Sequence, residues 1–155
     1  MLGMAKYDRE YIDACKARVK ADLAAYRGLK MALAKQPPNE QLTSALQDLE
    51  TAFFNNLAML LDYFFVHRLR GTEGKDGNPM NEVRVLSNSM MQNGGVLATS
   101  YPGMQPSAQG DKSIKLVPDK TILKHQLGEE IRLTEEEFAR LSEAYFDEIE
   151  RKFAA

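Results

Sequence analysis

The sequence predicts a mainly α fold with α+β character: an antiparallel helix hairpin, a third helix, a small β element and a C-terminal helix. Three observations predict it. Apolar residues recur at steps of three and four over long stretches, which is the helical period. Pro37-Pro38 and Gly94-Gly95 punctuate those stretches. Short alternating runs are confined to the region between residues 96 and 133. At 155 residues, one domain spanning 1–155 is expected, long enough to bury a core without disulfides.

The first helix is expected from about Ala5 to Lys35. Ile12, Cys15, Val19, Tyr26, Leu29 and Leu33 follow steps of three, four and seven. Pro37-Pro38 ends it, and Asn39 caps the second helix with Glu40 in the first turn. So short a connection makes the two helices antiparallel neighbours. The second helix carries Leu42, Leu46, Leu49, Phe53, Leu60 and Phe64 on one stripe. Phe54, Leu57, Leu61 and Phe65 add another. A helix apolar on two faces needs cover on both, from neighbouring helices or from a second subunit. Its densest run is shorter than the roughly 20 apolar residues of a membrane span. Asp48, Thr51, Asn55 and Asp62 fall on one line and read as a narrow solvent strip. Asn56 shares the face of Phe53, Leu60 and His67 and reads as a buried amide. Such an amide bonds a neighbouring helix, fixes the register of a dimer, or meets a ligand.

The second helix is expected to end at His67-Arg68-Leu69-Arg70-Gly71, where cations and a glycine suit a C-terminus. Asn78-Pro79 then opens the third helix, which uses Val83, Leu86 and Met90 and stops at Asn93. Val96 to Thr99, Ser113 to Val117, Thr121 to Leu123 and Glu130 to Leu133 are strand candidates for a small sheet. Residues 101–112, rich in Pro and Gly, are expected to be a flexible loop. Thr134 opens the last helix, with Glu137 completing a capping box. Phe138, Leu141, Tyr145, Ile149 and Phe153 form its apolar face.

A net charge of −2 offers no general attraction to nucleic acid or anionic lipid. Neither a nucleic acid nor a membrane is the expected partner. The charge is uneven, however. Residues 1–36 hold eight Lys/Arg and four Asp/Glu; residues 129–153 hold nine Asp/Glu and four Lys/Arg. The first and last helices are therefore expected to lie side by side, although solvated faces that never meet would have the same composition. The single cysteine, Cys15, has no disulfide partner and sits on an apolar stripe. Met1 to Lys6 lacks a signal-peptide apolar run, so a cytoplasmic location is expected.

The chemistry-bearing stretch is the corner from His67 to Arg84, with Arg68, Arg70, Glu73, Lys75, Asp76, Asn78, Asn81 and Glu82. A helix N-terminus and glycines suit an anion. His67 is the candidate catalytic base, oriented by Glu73 or Asp62. Arg68, Arg70, Lys75, Asn78 and Arg84 are candidate ligand-binding residues. The plainer reading is a salt-bridged turn tying two helices together, with His67 a cation at a helix end. Gly71 to Asp76 departs from a phosphate loop, since Asp76 stands where a hydroxyl should hold Mg²⁺. His125 has nothing like ligand spacing around it. No metal motif and no cofactor fingerprint occurs, and none is expected to be bound.

Three segments, Phe64 to Arg70, Gly74 to Glu82 and Gly128 to Thr134, resemble small uncharacterised bacterial proteins without an assigned activity. The resemblance covers roughly residues 53–153 and implies no catalytic residue. The leading expectation is a non-enzymatic binding protein, homodimeric through apolar helix faces. The alternative is an anion-binding module or a hydrolase of phosphorylated substrates that uses the 67–84 corner. A basic first helix on nucleic acid is the third.

Overall fold

A computed structural model describes residues 3–104 and 114–155. Its helices are α1 (Arg9–Ala34), α2 (Glu40–Phe64), the single turn α3 (Arg70–Glu73), α4 (Pro79–Gln92) and α5 (Glu135–Phe153). The fold is mainly α, as the periodicity predicts. Asn39 caps α2 by accepting the Leu42 N–H at 3.1 Å. Asn78 accepts the N–H groups of Met80 and Asn81 at the head of α4, with Pro79 in its first turn. Both halves of the Thr134–Glu137 capping box are formed.

Aromatic rings set α1 against α2. Tyr11 packs on Phe65 at one end, and Tyr26 packs on Phe53 and Phe54 at the other, so the two helices run antiparallel. The last helix, α5, packs on both. Phe138 meets Phe54, and the Tyr145 hydroxyl donates to the Leu61 carbonyl at 2.9 Å. The uneven charge is used between α1 and α5: Lys16 pairs with Glu150, and Arg27 and Lys30 share Glu135. Cys15 is buried in the core, where burial pushes its thiol pKa up.

Several expectations are corrected. The first helix starts at Arg9, not near Ala5, because the residues before it pair with other segments. Met4 exchanges backbone bonds with His67 and Leu69, and Tyr7 with Phe153 and Ala155. The second helix ends at Phe64, before His67. Its last carbonyls are met by Arg68, whose Nη1 donates to Phe65 and, at 3.5 Å, to Asp62.

No strand forms among the described residues; only single bridges occur, such as Val96 with Glu130. The 95–97 and 128–131 segments bond each other through Leu97, Gly128 and Ile131 but extend no further as a ladder, and the other candidates' backbone groups go elsewhere. The N–H groups of Ile122 and Leu123 donate to the Glu82 carboxylate at 2.7 and 3.1 Å. Asn55 clamps the 131–133 segment, donating to the Ile131 carbonyl and accepting from the Leu133 N–H. Asn55 thus does the work of a neighbouring strand and is no part of a solvent strip. Asn56 is the exposed amide of the pair, not the buried one. Asn55→Ala is expected to cost about 2 kcal/mol, since it strands a carbonyl and an N–H. A lower urea midpoint at unchanged slope would register that loss. In the expected flexible loop, Tyr101 is buried and bonds Gln92; positions 105–112 lie outside the described residues.

Candidate functional site

Glu73 is the hub of the corner. The α3 turn delivers its carboxylate into the protein, where the residue is 2% exposed. Arg84, one turn into α4, grips it with two bonds, Nε to Oε1 at 3.2 Å and Nη2 to Oε2 at 2.7 Å. Two parallel bonds of this kind are the strong form of an ion pair. Arg68 Nη2 donates to Glu73 Oε1 at 3.3 Å and to Asp62 Oδ1 at 2.8 Å. Arg68 Nε lies 3.2 Å from Glu73 Oε2 but is not aligned for a hydrogen bond. Asn81 Nδ2 donates to Glu73 Oε1 and to the Gly74 carbonyl. Burial pushes the Glu73 carboxyl up, but the Arg84 hydrogen bond and the charges of Arg68 and Arg84 outweigh it. The net pKa lies below the usual glutamate value.

The loop around this hub is equally committed. Asn78 Nδ2 donates to the Glu73 carbonyl and to Asp76, each at 2.8 Å. Lys152 reaches from α5 to the same Glu73 carbonyl at 2.8 Å. Asn81 Oδ1 accepts the Gly77 N–H. Gly77 has a φ of +84°, and a Cβ there would stand 2.7 Å from the Lys115 carbonyl, so only glycine fits. A second buried carboxylate, Glu82, points the other way from α4 to the 121–123 turn. Burial raises its pKa, partly offset by the two backbone N–H bonds and by His125.

The candidate residues therefore divide. Arg68, Asn78 and Arg84 are gathered around Glu73 as internal partners of the fold. Arg70 and Lys75 lie on the rim, exposed, where with Arg84 and Ile114 they line a cleft of about 20 Å³. That volume suits a single water. His67 is not in the cluster. It is exposed, beside Tyr63 and Val66 in a separate groove. Glu73 and Asp62, the expected orienters of its ring, are both engaged by Arg68. Sequence reading drew these residues into one stretch but did not single out Glu73 as the hub. The available signal was Glu73 itself, an acid placed five residues after Arg68 and eleven before Arg84.

Elsewhere, His125 links Glu129 and Glu137, with Nδ1 at 3.0 Å and Nε2 at 2.6 Å from their carboxylates. Among the described residues no group of three or more His, Cys, Asp or Glu is placed to hold a metal ion. None of the described helices is long and apolar enough to cross a membrane. In comparison with known proteins, the chain matches no protein-family model, no curated protein and no solved structure.

Proposed function

We propose that this chain is a non-enzymatic binding protein that works as a homodimer, joined through apolar helix faces. The observation that carries this reading is the unequal treatment of α2. One of its sides is fully buried through Phe54, Leu57, Ala58 and Leu61. Apolar side chains also stand on the opposite side, where the described residues leave them open: Leu49 is 45% and Tyr63 70% exposed. Tyrosine and leucine kept in water along one helix cost free energy that a partner surface recovers.

An anion site or a phosphohydrolase at the 67–84 corner has less to rest on. Its two best-placed arginines neutralise Glu73, its cleft is the size of a water, and its candidate base lines a different groove. The dimer reading is tested by dilution. Static light scattering should give twice the monomer mass at high concentration, and the melting temperature should rise with protein concentration. A constant monomer mass over a hundredfold dilution would overturn it.

A further inference from the structure

One imidazole is placed between two carboxylates and near a third. The Nδ1 of His125 is 3.0 Å from Glu129 Oε2, four residues further along the same segment. Its Nε2 is 2.6 Å from Glu137 Oε2, in the first turn of α5. Glu82, the buried carboxylate on α4, lies within reach of the His125 charge. Among the described residues, His125 is the one cation paired with Glu129 or Glu137. These contacts fix the protonation of the ring. An ionised carboxylate only accepts hydrogen bonds, and a neutral imidazole has a single N–H. Only the imidazolium donates to Glu129 and Glu137 at once; a neutral ring turns a lone pair on one of them.

What the ring holds is the 121–127 segment. Ile122 and Leu123 donate their N–H groups to Glu82, and their partly buried side chains pack on the core. Lys124 is held at a φ of +57°, a left-handed conformation that lysine keeps only where its surroundings impose it. The bond from the Lys124 N–H to Thr121 Oγ1 lies within the segment and moves with it. Beyond it the chain is tied independently, with the Gly128 N–H on the Leu97 carbonyl and the Ile131 N–H on the Gly95 carbonyl. The segment is thus anchored at its far end by backbone bonds and along its length by two charged groups, Glu82 and His125. Loss of the ring proton acts on both in one direction. It breaks one of the two ring contacts, and it removes the positive charge that offsets the burial of ionised Glu82.

We infer that His125 is a proton-operated latch: doubly protonated, it bridges Glu129 to Glu137 and closes the 121–127 segment on α4, and on losing one proton it releases that segment and uncovers Ile122 and Leu123. Histidine is the side chain that ordinarily changes charge between about pH 5 and 8. The latch is closed on the acid side of that change and open on the alkaline side. It is independent of the homodimer reading, because its groups lie on α4, α5 and the 121–129 segment, away from the exposed face of α2.

Nuclear magnetic resonance on the full chain reads ring and segment together. The ring nitrogen shifts of His125 follow its protons. Amide exchange at Ile122 and Leu123, corrected for the intrinsic pH dependence of exchange, follows closure. Protection at those two amides should fall about tenfold as the ring loses its proton, the size of one lost charge-assisted hydrogen bond. Protection at Tyr145 and Ile149 in α5 should stay level. His125→Gln supplies a neutral side chain and should leave the two amides weakly protected at every pH. Glu137→Gln should do the opposite. Glutamine keeps the capping box, and its amide N–H can donate to the Nε2 of a neutral ring, so the segment should stay closed on the alkaline side. Protection that is level across the ring's titration, or that falls just as steeply in His125→Gln, overturns the latch. So does a fall shared by Tyr145 and Ile149, which is global unfolding, and so does a Glu137→Gln chain that opens with pH as the wild type does.

Discussion

Glu73→Ala is expected to cost about 3–5 kcal/mol, because it leaves buried guanidinium groups without their shared counter-charge. Arg68 is 3% exposed and, among the described residues, keeps Asp62 as its acidic partner; Arg84 loses both bonds of its fork. Against a typical domain stability of about 5–15 kcal/mol, that is a large fraction of the total. Arg84→Ala should cost less, because Glu73 would still have Arg68 and Asn81. Urea unfolding followed by circular dichroism measures both. The loss should also depend on pH, with a definite sign. The folded Glu73 carboxyl titrates below its ordinary value of 4.5, so on acidification the unfolded chain takes up the proton first. The stability that Glu73 contributes is then full above the ordinary value and fades as pH falls through the lowered one. The gap between wild type and Glu73→Ala should therefore narrow as pH falls below the ordinary value of 4.5 and through the lowered one. Glu82 has the opposite sign, because its folded pKa is raised. Its contribution is full below the ordinary value and is lost as pH climbs through the raised one. A gap for Glu73→Ala that is constant with pH would mean that Glu73 is not an ionised partner in the folded state.

Phe65→Ala is expected to lower stability by a similar amount, about 3–5 kcal/mol, through loss of buried surface and the cavity left behind. Phe65 is fully buried and forms the C-cap of α2, with a φ of −124° that takes the chain out of the helix. Its ring stands edge-on to Tyr7 at 4.9 Å and also contacts Tyr11, Tyr145 and Phe146. It therefore joins the N-terminal segment, α1, α2 and α5 at one point, and no single neighbour is placed to fill the space. At about 2–4 °C per kcal/mol for a chain of this size, the melting temperature should fall by roughly 6–20 °C. Hydrogen exchange should quicken at Met4 and Leu69, whose backbone bonds tie the N-terminal segment down beside this ring. A shift below about 2 °C would show that the aromatic cluster closes over the gap without cost.

What the sequence determined by itself was local. Asn39, Asn78 with Pro79, and Thr134 with Glu137 start their helices where expected, because a cap needs only an acceptor and the two or three N–H groups that follow it. The apolar stripe of α5 and the Ile12–Tyr26 part of the α1 stripe became core, whereas Leu29 stays exposed; the opposite charges of the first and last helices became ion pairs between α1 and α5. The stretch from Arg68 to Arg84 was legible as a charged corner. Only the tertiary structure decided which of those charges meet. Glu73 became the hub because α3 turns it inward between two arginines, and His67 stayed outside because α2 ends three residues before it. The same holds for the neighbouring amides. Asn55 and Asn56 are adjacent and chemically identical, and helical periodicity placed the buried one at Asn56. The 131–133 segment runs past the Asn55 side and leaves Asn56 in water. Strand candidates stopped at a single bridge for a related reason: the N–H groups of Ile122, Leu123 and Leu133 are taken by the Glu82 carboxylate and the Asn55 amide. Periodicity and capping depend on residues within one or two turns, so a sequence displays them. The choice among several possible long-range partners depends on which segments arrive together, and only the packed chain makes it.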